Sequence, residues 1–222
     1  MKKFTVADGA ALVIWLLPAI YLWSIYPSLP AIVPVHWDIH GAVDRYGSKQ
    51  EFLLAPCILM AVSAGVFLLM RFLPNIDPKK QVKFGEQTFN KIALGIVVFT
   101  AALDIAIIYG STHKSVAIDK LIFPMIGLLY AFLGNMFNNI KPNYFAGFRT
   151  PWALEDEDNW RATHRFAGKI WFIGGLIMAV TTLLLPTMAS TIVFMSAVGI
   201  LVFVPIIYSY SYFKKHQADQ NL

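Results

Sequence analysis

Ile92-Ala93-Leu94-Gly95-Ile96-Val97-Val98-Phe99-Thr100-Ala101-Ala102-Leu103-Asp104-Ile105-Ala106-Ile107-Ile108-Tyr109-Gly110 decides the fold. It carries one charged residue, Asp104. A helix rising 1.5 Å per residue needs about 20 mostly apolar residues to cross a bilayer, and this run is that long. Five further stretches read the same way, at about 9–27, 52–73, 118–138, 168–187 and 190–212. The first follows Lys2 and Lys3 as a signal peptide would. It runs on to Tyr26, however, with no small-x-small cleavage site, so it is expected to remain as the first helix.

The composition agrees. Of 222 residues, 57% are hydrophobic and 14% charged, against roughly 25% charged in soluble domains. Mean hydropathy is +0.59. A soluble enzyme, a disordered chain and a disulfide scaffold are excluded, the last because Cys57 is the lone cysteine. The expectation is one all-α membrane domain over 1–222, a six-helix bundle. Within it lie an outer loop module, 28–51, and an inner loop, 139–167, that carries a short interfacial helix.

Orientation follows from the basic residues. Lys2, Lys3, Arg71, Lys79, Lys80, Lys83, Lys91, Lys141, Arg149, Arg161, Arg165, Lys169, Lys214 and Lys215 fall on one side. Only Arg45, Lys49, Lys114 and Lys120 fall on the other. Both termini are therefore expected inside. The net charge of +5 is accounted for by topology, and direct nucleic-acid binding is not expected.

In the outer loop, Pro30 and Pro34 force extended backbone before them. Alternation through Val33, Val35 and Trp37 suggests a short strand or an interfacial segment. His36, Asp38, His40 and Asp44 are zinc-ligand residue types, but their spacing matches no metal motif, so no metal or cofactor is expected. The loop is left with a hydrogen-bonded structural role or direct ligand contact. In the inner loop, Lys141-Pro142-Asn143-Tyr144-Phe145-Ala146-Gly147-Phe148-Arg149-Thr150-Pro151-Trp152 precedes an acidic helix start at Glu155–Asp158. Trp160, Thr163, His164 and Ala167 share a helix face that lies against the bilayer or the bundle. Arg149 suits a phosphate or a carboxylate. It is either a lipid anchor or part of a binding surface, and it is expected to be buried near Asn143, Thr150 and Trp152.

The two runs resemble the signatures of SdpI-type membrane proteins. Leu29-Pro30, Val33 through Trp37, Gly41, Asp44 and Tyr46 through Lys49 are similar to the outer module. Gly134-Asn135, the Lys141–Trp152 run, Trp160, Thr163-His164 and Gly168-Lys169 are similar to the inner signature. The resemblance covers nearly the whole chain. It implies a multi-pass bacterial cell-membrane protein, not an enzyme, that gives immunity to a secreted hydrophobic peptide toxin. It further implies that the protein senses the toxin and holds a winged-helix autorepressor at the membrane. Candidate toxin contacts are His36, Trp37, Asp44 and Lys49. Candidate inner-site residues are Asn135, Asn143, Gly147, Arg149, Thr150, Pro151, Trp152, Trp160 and His164. The alternative is an ion- or proton-coupled transporter built on Asp104, because a charge deep in a span is costly unless it faces the bundle or is neutralised.

Overall fold

A computed structural model describes residues 4–77, 85–113 and 116–220. It contains six helices long and apolar enough to cross a membrane, Val6–Ser28, Lys49–Ile76, Glu86–Thr112, Asp119–Phe137, Glu157–Leu184 and Thr187–Gln217. The chain is an all-α polytopic bundle. The lysines at 2, 3, 79, 80, 83 and 114, used in the orientation argument, lie outside the described residues.

Helix α1 (Val6–Ile25) starts at a capping box. Thr5 accepts from the Asp8 amide, and the Asp8 carboxylate accepts from the Thr5 amide at 2.8 Å. After it, β1 (Ile32–Trp37) and β2 (Val43–Ser48) pair antiparallel, so the outer module is a hairpin added to the helical fold. A short helix α2 (Lys49–Phe52) leads into α3 (Leu54–Ile76) and α4 (Glu86–Thr112). Then come α5 (Asp119–Phe137), α6 (Pro151–Glu155), α7 (Glu157–Leu184) and α8 (Thr187–Gln220).

The fifth span starts at Glu157 rather than near 168. Asp156 caps it by accepting from the Asp158 amide, acidic residues fill its first turn, and no proline interrupts it. The Trp160/His164 face is therefore the first part of this span. The separate short helix in the inner loop is α6.

Helices α1, α3 and α4 pack with the hairpin, while α5, α6, α7 and α8 pack with one another. The second group is held by close backbone approach. A Cβ on Gly127 would lie 2.7 Å from the Gly175 carbonyl oxygen and the Ala179 amide. One on Gly134 would lie 2.6 Å from the Phe172 amide. In lipid, where burying apolar surface drives helices together weakly, small residues of this kind set helix contact. The two groups meet along α4 and α5, through the hairpin tip, and at the end carrying the termini. There Met70, Leu73, Phe89 and Ile92 pack with Phe137, Ile140, Ala153 and Trp160. At the opposite end, Lys120 donates to the Thr182 and Leu185 carbonyls and to Ser190 Oγ, tying α5 to the tight α7–α8 turn.

Both ends of the described chain, Phe4 and Gln220, lie at the end opposite the hairpin. The basic-residue asymmetry predicts that this end is cytoplasmic. In a Cys57→Ser background, a membrane-impermeant thiol reagent applied to intact cells should label Ser48→Cys and leave Gln87→Cys unlabelled. The reverse pattern would invert the topology.

Candidate functional site: an inner signature and an outer hairpin

At the end opposite the hairpin the site is built around Asn143, which is fully buried. Its Nδ2 donates to the carbonyls of Lys141 (2.8 Å) and Ala146 (3.2 Å). Its Oδ1 accepts from the amides of Phe145 and Ala146, both at 2.8 Å. All four bonding positions of the amide are used, so a single side chain folds the loop around itself. Gly147 follows at φ 103, and a Cβ there would run into His164 Nε2. The loop thus lies directly on α7. The Phe148 amide donates to His164 Nε2 at 3.0 Å, and His164 Nδ1 bonds the Trp160 carbonyl at 2.8 Å. The two bonds define a neutral ring with its proton on Nδ1. Trp160 stacks on this ring at 4.1 Å and donates Nε1 to the Ile140 carbonyl at 2.8 Å.

A second buried network joins α6, α7 and α8 through Ser209. Its hydroxyl donates to Asn159 Oδ1 at 2.8 Å and accepts from Trp152 Nε1 at 2.7 Å. Thr150 Oγ1 lies 3.0 Å away. With the Ser209 proton committed to Asn159, Thr150 is the donor of that last bond. Asn159 also donates to the Ser209 carbonyl (3.0 Å) and accepts from Thr163 (2.9 Å).

Asn143, Gly147, Thr150, Trp152, Trp160 and His164 are therefore brought together. Asn135 is not, as it lies exposed on α5. Pro151 starts α6, where its missing N–H costs nothing. Arg149 corrects an expectation, because it is exposed rather than buried. Among the described residues it makes one hydrogen bond, from Nη1 to the Tyr144 carbonyl at 2.7 Å, and it lines an open cleft with Phe148, Leu154 and Ile206. The long, strongly solvated guanidinium is carried out of the core while the loop's short polar side chains fill it. Ser209, Asn159 and Thr163 were missed as a unit. The available signal was polar residues at the inner ends of two apolar spans.

At the hairpin end, Val33 is fully buried with Leu22, Leu29, Phe52 and Ile108, and anchors the hairpin to the bundle. The turn is closed by Asp38 Oδ1, which accepts from the His40 and Ala42 amides at 2.8 and 2.9 Å, with Gly41 at φ 74. Its tip reaches α8, where Thr191 Oγ1 donates to the Ile39 carbonyl at 3.1 Å. His36 Nδ1 and Asp44 form an exposed 2.6 Å pair. Lys49 points to the end of α1, at 3.3 Å from the Tyr26 carbonyl. Trp37 is half-buried. The four candidates do not converge on one pocket. A cleft of about 520 Å³ lies instead between the hairpin and the outer ends of α1 and α4. Tyr21, Ile25, Ile32, Pro34, Tyr46 and His113 are among its walls. Only the fold brings these residues together. Asp104 faces the bundle at 1% exposure, and no described residue bonds its Oδ1. Among the described residues no cluster has the composition of a metal site.

These features define a six-span membrane protein with a hairpin at one end and a hydrogen-bonded signature loop at the other. The SdpI/YfhL protein family model matches residues 139–209, which hold the whole inner network. A domain of unknown function (DUF1648) matches 13–60, which holds the hairpin. The chain is 25% identical to "Immunity protein SdpI" of Bacillus subtilis over 70% of its own length and 72% of that protein. An uncharacterized protein of Archaeoglobus fulgidus is 31% identical over 28% of this chain and 32% of its own. No solved structure matches. The chain is thus similar to SdpI-family proteins, by the family model over the segment that holds the signature loop and by one relative over most of its length.

Proposed function

We propose that this protein confers immunity on a bacterial cell, protecting its membrane against a secreted hydrophobic peptide toxin that meets the outer hairpin. The immunity function follows the B. subtilis relative's name. The toxin class follows the family resemblance of the two signatures. The observation that carries the site is the cleft beneath the hairpin. Ile32 and Tyr46, 64% and 59% exposed, stand on an extramembrane hairpin beside it. On a transmembrane helix such exposure is ordinary lipid contact. On a hairpin above the spans it marks an interaction surface. The hairpin is pre-organised by its turn and by Val33, so little entropy is lost on binding.

The inner signature is the place for a cytoplasmic partner such as a winged-helix repressor. Helix α8 links the two ends, bonding the hairpin tip through Thr191 and the inner network through Ser209. Eighteen residues at 1.5 Å each put these about 27 Å apart, close to the thickness of the hydrocarbon core.

Expression in a toxin-sensitive host tests the reading, with survival measured at equal membrane abundance. Tyr46→Ala combined with Ile32→Ser should lower the protective dose at least tenfold. Trp37→Ala and Asp44→Ala should have smaller effects. Wild-type protection by the double variant would remove the hairpin as the toxin surface.

One observation favours a coupled transporter as a second reading, namely the buried Asp104 oxygen without a bonding partner among the described residues. The immunity reading predicts that Asp104→Asn protects as well as wild type. Loss of protection in Asp104→Asn at normal abundance would favour the transporter.

A further inference from the structure

A groove of about 400 Å³ lies between helices α1 and α3, towards the end carrying the termini. Ala11, Leu12 and Trp15 of α1 form one wall, Ala64 and Leu68 of α3 the other, and Val97 of α4 the floor. The Trp15 indole N–H is spent on the Met60 carbonyl at 2.9 Å. The groove is therefore apolar along its length and lies within the membrane-spanning stretch of both helices. At its terminal end it changes character. Asp8 and Arg71 form an ion pair at 2.8 Å, with side chains only 11% and 14% exposed, and both line the groove.

The Asp8 carboxylate is used on one side only. Oδ2 accepts from the Thr5 amide, the Thr5 hydroxyl and Arg71 Nη2, each at 2.8 Å. Among the described residues nothing donates to Oδ1. An apolar slot, with a cation and a carboxylate oxygen that no described residue bonds at its mouth, fits one ligand chemistry. That ligand carries a hydrocarbon chain, a phosphate to lie beside the Arg71 charge and a hydrogen-bond-donating ammonium for Asp8 Oδ1.

We propose that the α1–α3 groove is a binding site for one amine-bearing zwitterionic phospholipid, its acyl chain between the helices and its ammonium on Asp8. An apolar slot within the bilayer fills with hydrocarbon in any case. Selectivity comes from the mouth, where an ionised acceptor forms the stronger kind of hydrogen bond with a charged donor. A quaternary ammonium has no N–H to give and loses that bond. This site is independent of the outer hairpin and of the immunity reading.

The test is native mass spectrometry of the full chain, equilibrated in detergent with equal amounts of phosphatidylethanolamine and phosphatidylcholine of identical acyl chains. The wild-type protein should retain one phosphatidylethanolamine at least fivefold in preference to phosphatidylcholine. Asp8→Asn should bring the two to parity, and Ala64→Phe, which fills the slot and leaves the ion pair intact, should lower retention of both. Equal retention of the two lipids by the wild-type chain overturns the proposal. So does undiminished one-lipid retention by Ala64→Phe in protein that remains monodisperse. Because Ala64→Phe leaves Asp8 untouched, the test holds even where Asp8→Asn weakens the helix start.

Discussion

Gly175→Leu should abolish the folded bundle, and Gly175→Ala should already weaken it measurably. A Cβ at this position would lie 2.5 Å from both the Ala131 amide and the Gly127 carbonyl oxygen. Both are backbone atoms in the middle of α5, so no rotamer change relieves the clash and the helices have to separate. Overpacking ordinarily costs about 1–3 kcal/mol. Here the separation also strips the neighbouring contacts of Gly127, Ala131 and Ala179, so Leu should exceed that range. Gly65 and Gly199 are the controls, since a Cβ on either meets nothing within 4 Å. Alanine at these two should be neutral or stabilising by up to about 1 kcal/mol through helix propensity. Denaturant titration in mixed micelles, read by tryptophan fluorescence, separates the cases. Equal behaviour of Gly175→Ala and Gly65→Ala would show that α5 and α7 are not held by backbone approach.

Asn143→Ala should have the next largest effect and should fall on the inner loop. It removes the acceptor of two amides and the donor to two carbonyls around a fully buried position. Each buried group left without a partner costs about 1–3 kcal/mol. With the two stranded amides alone, the loss is roughly 2–6 kcal/mol. Asn143→Asp keeps the acceptor for Phe145 and Ala146 and loses the donors, so it should lie between wild type and alanine. Limited proteolysis of the 141–152 segment gives the local readout. Cleavage at the wild-type rate in Asn143→Ala would mean that the loop is held by its neighbours rather than by this side chain.

The number of spans was legible because a bilayer reduces the fold problem to length and hydropathy. Each of the six apolar runs found its helix, with the fifth extended back to Glu157 where the acidic cap begins. The outer module was legible as far as its prolines and alternation, and the hairpin paired Val33 with Gly47. Within the signature loop, Asn143, Gly147, Trp160 and His164 were identifiable as special residues; Asn143 folds the loop, Gly147 brings it against His164, and Trp160 bonds and stacks on that ring. Arg149 was misplaced because its residue type suggests a planar clamp, whereas its environment is decided by where the loop exits the bundle. Ser209 escaped notice because a single hydroxyl in an apolar span has no periodicity. Its importance arises only from Thr150, Trp152 and Asn159 meeting it.

Hydropathy along the chain by itself determined that this protein crosses a membrane six times, and local residue chemistry marked its two informative loops. Both are properties of short windows, because insertion energy and turn preference are summed over neighbouring residues. Only the tertiary structure decided that α5 and α7 touch backbone to backbone, that the outer cleft combines α1, α4 and the hairpin, and that Asp8 meets Arg71 at the mouth of a groove. Those outcomes depend on which faces of distant helices come together, and the energy of such a contact belongs to both partners at once.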